Sequence, residues 1–179
     1  MVTIGGEQSN HCRATAAASR MLNLSPHLIL RTRRADAVQR NEDGIGHTGN
    51  VLFDRMVGST IYTCTPGEYG RLGSDQLVRS VCEHLQTKGF TPYAIPVGGS
   101  NALGTWGYIS AVDELMQQVE SIQSEDSGFN FDHVVFASGS GGTAAGIALG
   151  LSLAHGADGH PAAESKVAPL CTGIGVCDR

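Results

Sequence analysis

Short apolar runs and longer amphipathic stretches follow one another along the chain. The short runs are bounded by turn residues and predict strands at Val2–Ile4, His27–Arg31, Thr60–Cys64, Tyr93–Val97, His133–Ala137 and Thr172–Cys177. The longer stretches predict helices over Asn10–Leu22, Thr48–Val57, Ser74–Lys88, Leu103–Val119 and Thr143–Leu153. Because strands alternate with helices, the sequence predicts parallel βαβ units in an α/β fold, with parallel sheets that carry helices on both faces.

The remaining segments predict connections. Thr32–His47 is charged and contains glycine, which predicts an exposed loop, and Ser121–Gly128 is a polar connector. No helical stretch follows the last predicted strand, although parallel strands are normally covered on both faces. We therefore expect this chain to be a piece of a larger fold, or to be completed by a partner.

Composition narrows the class of protein. The chain is 41% hydrophobic and 16% charged, as globular domains are, and its net charge of −5 does not favour nucleic acid or an anionic membrane. No apolar run reaches the roughly 18 residues of a membrane span, and the first residues do not resemble a signal peptide. Five cysteines without C-x-x-C spacing predict no metal site and no disulfide framework. They favour a reducing compartment, either the cytoplasm or an organelle matrix.

Glycine-rich turns link predicted strands to predicted helices at three places. The third turn contains Gly139, Ser140, Gly141, Gly142 and Thr143. Glycine lets a ligand approach the backbone closely, and the free N–H groups at a helix start favour an anion, so this turn predicts a phosphate site. The other two turns, Gly5–Asn10 and Pro96–Asn101, present Ser9, Asn10, Ser100 and Asn101, which also favour ordinary helix caps.

The third turn also fits part of a dinucleotide fingerprint, from Gly139 through Gly141 to Ala144. The acid expected about 20 residues later is displaced, because Asp178 lies well beyond that spacing. The chain has neither the Gly-Lys-Ser/Thr of a Walker-type nucleotide site nor a G-x-S-x-G elbow. A nucleotide-binding module therefore stays a minor alternative.

Several of these motifs together carry a family resemblance. They are Gly5-Gly6-Glu7-Gln8-Ser9-Asn10-His11-Cys12-Arg13-Ala14-Thr15-Ala16, Pro26–Arg31, Gly49-Asn50, Pro96–Tyr108 and Gly139–Gly146. The set resembles the D-cysteine desulfhydrase and 1-aminocyclopropane-1-carboxylate deaminase family, which are pyridoxal-phosphate enzymes of the tryptophan-synthase-β type. The His11–Thr15 and Leu103–Tyr108 runs look most like the plant-type D-cysteine desulfhydrases. The resemblance covers nearly the whole chain but only the middle of the family fold.

The resemblance implies a role for each turn. Gly139, Ser140, Gly141, Gly142 and Thr143 would hold the cofactor phosphate, and Asn10 would bond the cofactor's ring oxygen. Ser9 is the implied catalytic residue, for proton transfer or nucleophilic help, while Gln8, Ser100 and Asn101 would face a small amino-acid substrate. The implied fold is an incomplete two-domain tryptophan-synthase-β-like fold, with a small domain over 1–93, part of the large domain over 94–179, and the site in the cleft between them.

The sequence also departs from the family. The family's Schiff-base lysine precedes the Gly5–Asn10 loop, whereas the chain's two lysines, Lys88 and Lys166, do not match that position. The resemblance therefore implies a truncated D-cysteine desulfhydrase-like lyase, one that would give pyruvate, sulfide and ammonia but is predicted to be inactive alone. Its cofactor would be absent or weakly bound. The alternative is a non-catalytic structural or interaction subunit, with a protein partner or a second copy covering the exposed sheet.

Overall fold

A computed structural model describes residues 1–34, 44–126, 128–156 and 169–176 of the chain. The contacts divide it into two compact units, Met1–Gly99 and Ser100–Arg179. Strands and helices alternate in both units, which confirms the predicted α/β class.

The first unit contains a three-stranded parallel sheet in the order β1-β2-β3. Its elements are β1 (Val2–Gly6), α1 (Asn10–Met21), β2 (His27–Arg31), α2 (Gly49–Met56), β3 (Thr60–Cys64), α3 (Pro66–Thr87) and a 3-10 turn at Val97–Gly99. The predicted bounds of β2 and β3 agree with the structure. The predicted loop at 32–47 falls partly on residues 35–43, which lie outside the described residues.

The central strand β2 has buried side chains on both of its faces. Leu28 and Leu30 pack with Cys12 of α1 and Val51 of α2, whereas Ile29 packs on the opposite face with residues of α3. Helices therefore cover both faces of this sheet, as predicted. Each fully buried leucine contributes about 1.5–3 kcal/mol to folding through the hydrophobic effect.

One prediction for the first unit is wrong, and one helical segment was not predicted. Tyr93–Val97 does not form a strand, and its ladder contact is a single bridge between Val2 and Ala94. The physical reason is that Pro92 and Pro96 have no N–H to donate to a ladder. Helical turns that the sequence did not predict begin at Pro66, where Thr65 and Glu68 form a capping box that satisfies the first N–H groups. Gly73 has a non-helical backbone, with φ of 77° and ψ of 162°, so a kink separates these turns from the predicted helix that begins at Ser74.

The second unit contains α4 (Ala102–Glu125), β4 (His133–Ser138), α5 (Gly142–Ala154) and β5 (Leu170–Gly175), with β4 and β5 paired in parallel. Helix α4 continues through 121–125, where the sequence predicts a connector. Helices α4 and α5 pack closely because Gly146 and Gly150 present no side chain to Tyr108 and Val112. Within the described residues, no helix is long and apolar enough to span a membrane.

Candidate functional site

The turn between β1 and α1 positions Gln8, Ser9 and Asn10. The chain passes so closely here that a Cβ on Gly5 would lie 2.6 Å from Ser9 Oγ. Ser9 is the N-cap of α1, and its Oγ accepts a hydrogen bond of 3.1 Å from the Cys12 N–H. The Ser9 side chain also forms a hydrogen bond with the side chain of Cys12.

Three side-chain amides form a network beside this turn. The backbone N–H of Asn50 donates to Gln8 Oε1 at 2.8 Å, and Gln8 Nε2 donates to the Thr48 carbonyl at 3.3 Å. Asn50 Nδ2 donates to the Gln8 carbonyl at 2.8 Å and to Asn10 Oδ1 at 3.1 Å. Sequence reasoning placed Asn50 in a motif, through Gly49-Asn50, but predicted no role for it in the site.

His11 connects the start of α1 to the sheet. Its Nε2 lies 2.8 Å from the Thr3 hydroxyl oxygen, and that hydroxyl donates to the Ile95 carbonyl at 3.1 Å. Burial lowers the pKa of the His11 imidazole, which favours its neutral form. The neighbouring thiol is also neutral near pH 7, because burial raises the pKa of Cys12 to about 11.

An ion pair between Glu7 and Arg34 also stabilises the turn between β1 and α1. Arg34 Nη2 lies 2.7 Å from Glu7 Oε2 and also donates to the Ile45 carbonyl at 3.0 Å. Burial alone would raise the pKa of Glu7, but hydrogen bonds from Thr32 and Arg34 and the charge of Arg34 lower it overall. The negative charge of Glu7 is thus compensated within the protein.

In the second unit, the predicted phosphate turn lies between β4 and α5. Gly141 adopts a left-handed conformation with φ of 92° and is the N-cap of α5, and no side chain caps that end. A Cβ on Gly142 would lie 2.6 Å from Ser100 Oγ and 3.2 Å from Ser100 Cα. Both positions therefore require glycine, and the backbone of the turn stays open to a ligand.

Side chains of α4 and of the residues before it support this turn. Ser100 and Ser140 share a hydrogen bond through their hydroxyl groups, and Thr143 Oγ1 donates to the Tyr108 hydroxyl at 2.5 Å. Asn101 is the N-cap of α4, since its Oδ1 accepts from the Gly104 N–H at 2.8 Å. From the sequence, Tyr108 was as consistent with a core residue as with part of a ligand wall, because its contact with Thr143 depends on how α4 packs on α5.

The predicted site residues therefore fall into two groups. Gln8, Ser9 and Asn10 lie together in the first unit, while Ser100, Asn101 and the Gly139–Thr143 turn lie together in the second. Lys88 is exposed at the C-cap of α3, and Lys166 lies outside the described residues. Where the structure describes the chain, no group of three or more His, Cys, Asp or Glu residues could hold a metal ion.

Comparison with known proteins gives the context for these two groups. Residues 1–174 match the model of a family described as Pyridoxal-phosphate dependent enzyme. A bifunctional D-cysteine desulfhydrase/1-aminocyclopropane-1-carboxylate deaminase, mitochondrial, of Arabidopsis thaliana is 49% identical over 150 residues, which are 84% of this chain and 36% of the relative. A D-cysteine desulfhydrase of Serratia proteamaculans is 36% identical over 84% of this chain and 42% of the relative.

Solved structures agree with this similarity. An ACC deaminase homologue has a TM-score of 0.64 and 33% identity, covering 86% of this chain and 41% of its own. A T.th. threonine deaminase has a TM-score of 0.62 at 17% identity and supports the fold alone, covering 97% of this chain and 43% of its own. The chain thus spans less than half the length of these relatives.

Proposed function

The chain belongs to the family of pyridoxal-phosphate-dependent enzymes, and we propose that it forms part of the cofactor and substrate sites of a D-cysteine desulfhydrase-like lyase. In this proposal, the completed enzyme converts D-cysteine and water to pyruvate, sulfide and ammonia. Similarity to relatives of both kinds supports this substrate class, since the plant relative's name gives both D-cysteine desulfhydrase and 1-aminocyclopropane-1-carboxylate deaminase.

The Gly139–Thr143 turn fits the phosphate of the cofactor. The first N–H groups of α5 have no side-chain cap and no acidic residue beside them, so an anion there would gain hydrogen bonds and a favourable helix dipole. A side chain at Gly142 would fill the space beside Ser100. The proposal rests on this open, glycine-lined helix start.

The bound cofactor would supply an electron sink for the substrate's α-carbon. Around it, we assign Asn10 to the ring oxygen and Ser9 to proton transfer at its Oγ. Ser9 suits that role because its hydroxyl lies at the N-cap of α1, next to Gln8 and Asn10. Gln8, Ser100 and Asn101 are assigned to the substrate side.

We further propose that this chain is inactive by itself. Covalent capture of the cofactor aldehyde needs a lysine amine held in the site. Lys88 is exposed at the C-terminal end of α3, which argues against that role, and Lys166 is the chain's other lysine. The expected results are no sulfide from D-cysteine and no borohydride-stabilised adduct with pyridoxal phosphate. Turnover together with such an adduct on either lysine would overturn this part of the proposal.

A non-catalytic interaction subunit is the second candidate. Apolar side chains on β4 and β5 are more than half exposed, at Val135, Leu170 and Ile174. Further polypeptide, from a protein partner or a second copy, would remove this surface from water. In a sedimentation experiment on the isolated chain, a monomer at all concentrations would argue against self-association.

Calorimetric titration with pyridoxal 5′-phosphate tests the phosphate site. We expect Gly142→Ala to weaken binding about tenfold or more, because the new methyl group would push Ser100 into the turn. Gly150→Ala is the matched control, since its Cβ would lie 2.8 Å from Val112 Cβ and strain the same helix away from the turn. Pyridoxal without phosphate should bind weakly to all three proteins. Equal effects of the two glycine substitutions would overturn the assignment.

A further inference from the structure

We propose that Asn50 is a positioning residue that fixes the orientation of the Asn10 amide, so that Asn10 presents its NH₂ group rather than its carbonyl oxygen outward. This inference rests on the proposed function, in which Asn10 bonds the ring oxygen of the cofactor. It extends that proposal to a residue of another element, the second residue of α2.

The approach of α2 to the turn requires a glycine. Gly49 has φ of +58°, and a Cβ there would lie 2.2 Å from Gln8 Oε1. The absence of a side chain at this position lets Asn50 reach both Gln8 and Asn10. The Gly49-Asn50 pair therefore acts as a unit, with one residue providing space and the other the hydrogen bonds.

Backbone groups decide which way each amide is turned. The Gln8 carbonyl can only accept, so the Asn50 atom 2.8 Å from it must be the NH₂ nitrogen. The same nitrogen then donates its second proton, and the Asn10 atom 3.1 Å away must be the oxygen. Gln8 is fixed in the same way, because its oxygen accepts the Asn50 backbone N–H and its nitrogen donates to the Thr48 carbonyl.

These hydrogen bonds fix the orientation of the Asn10 side-chain amide. Its Oδ1 is held by Asn50, and its Nδ2 donates to no other residue in the described parts of the chain. Asn10 is exposed, so this NH₂ group is available to an acceptor. An ionised ring oxygen is an acceptor, and a hydrogen bond to a charged oxygen is stronger than one between neutral groups. With the amide reversed, the carbonyl oxygen would meet that anion and repel it.

Asn50→Asp separates positioning from a structural role. Aspartate keeps the size of the side chain but cannot donate to Asn10, so the Asn10 amide should reverse and donate to the new carboxylate instead. A negative charge in the first turn of α2 favours the helix, so the substitution should not melt it. If Asn50 served only the helix, Asn50→Asp would therefore leave the Asn10 amide unchanged.

Nuclear magnetic resonance of the side-chain amides reads the polarity directly, without any ligand. In the unsubstituted chain, the chemical shifts of the Asn50 NH₂ protons should change little with temperature, as those of hydrogen-bonded protons do. The chemical shifts of the Asn10 NH₂ protons should change strongly with temperature. In Asn50→Asp, the chemical shifts of the Asn10 NH₂ protons should change little with temperature. Asn50→Ala removes the partner altogether, so the chemical shifts of the Asn10 NH₂ protons should still change strongly with temperature. Circular dichroism checks that α2 is retained. An Asn10 amide that behaves identically in all three proteins would overturn the inference.

Titration with pyridoxine 5′-phosphate links this polarity to binding, because that compound carries the ring hydroxyl but no aldehyde. Asn50→Asp should weaken its binding about 10- to 100-fold, as loss of a charged hydrogen bond predicts. Asn130→Asp makes the same chemical change at an exposed position and should bind normally. Normal binding to Asn50→Asp would also overturn the inference. If the unsubstituted chain binds none of the compound while the amide signals respond as expected, the proposed function fails and the positioning role stands.

Discussion

The Thr3 hydroxyl determines the tautomer of His11. Its oxygen lies 2.8 Å from His11 Nε2, and its single proton is donated to the Ile95 carbonyl at 3.1 Å. The hydroxyl must therefore accept from the imidazole, and His11 carries a proton on Nε2. This chain of bonds ties the first turn of α1 to β1 and to the segment that precedes the Val97–Gly99 turn.

Removing the Thr3 hydroxyl should destabilise the first unit. Thr3→Val keeps the shape of the buried side chain but leaves His11 Nε2–H and the Ile95 carbonyl without this partner, at a cost of about 1–3 kcal/mol. Urea unfolding at pH 7.5 measures the change. Thr60→Val, at an exposed position of β3, is the control and should change stability by about 0.5 kcal/mol or less. Equal effects would argue against the bond.

The pKa of His11 predicts a dependence of stability on pH. Burial lowers the pKa of its folded form below the ordinary value of 6.5, so the unfolded chain binds the proton first as pH falls. Its contribution to stability is therefore complete above pH 6.5 and is lost as pH falls below that value. His11→Gln retains a donor but does not titrate, and it should reduce the slope of stability against pH below 6.5. A slope that His11→Gln leaves unchanged would contradict this contribution.

The buried carboxyl of Asp54 predicts the opposite dependence of folding stability on pH. Both of its carboxylate oxygens are buried without a hydrogen-bond partner among the described residues. Burial raises the pKa of Asp54 from 3.8 to about 6, although the charge of Arg13 lowers it. Between these two values the unfolded chain releases the proton first, so the carboxyl costs stability as pH rises from 3.8 through 6.

Asp54→Asn should therefore stabilise the protein at pH 7.5 by up to about 3 kcal/mol, since each pKa unit corresponds to about 1.4 kcal/mol. The gain should vanish near pH 4, where the carboxyl is protonated in the folded chain. Urea unfolding at both pH values measures it, with the exposed Glu83→Gln as control. A substitution that destabilises equally at both pH values would contradict the prediction.

Helix packing in the second unit gives another prediction. A Cβ on Gly146 would lie 2.4 Å from Tyr108 Cβ, so Gly146→Ala should push α4 from α5 and cost about 1–3 kcal/mol. Gly107→Ala provides a matched control within α4, because a Cβ there meets nothing within 4 Å. That change should be neutral or stabilise by up to about 1 kcal/mol, from helix propensity. Thermal unfolding compares the two variants, and similar midpoints for Gly146→Ala and Gly107→Ala would contradict the close packing of α4 on α5.

Local sequence signals predicted most of the elements. The apolar run at Leu28–Leu30 has β-branched and aliphatic residues buried on both faces, and it predicted β2 at the bounds that the structure has. The errors have local causes as well. Gly67, Gly70 and the kinked Gly73 obscured the helical turns that begin at Pro66, whereas the Thr65–Glu68 capping box was a signal that could have identified them.

The order of strands and helices, the glycine turns between them and the family resemblance follow from the sequence alone, because they depend on residues that are neighbours in the chain. Packing in three dimensions was needed to establish the contacts of the Asn10 amide and the partners of His11 and Thr143. Asn10 and Asn50 are 40 positions apart, and Tyr108 and Thr143 are 35 apart. Such pairs leave no periodic pattern in a sequence, since hydrogen bonds between side chains depend on distances that only the folded chain sets.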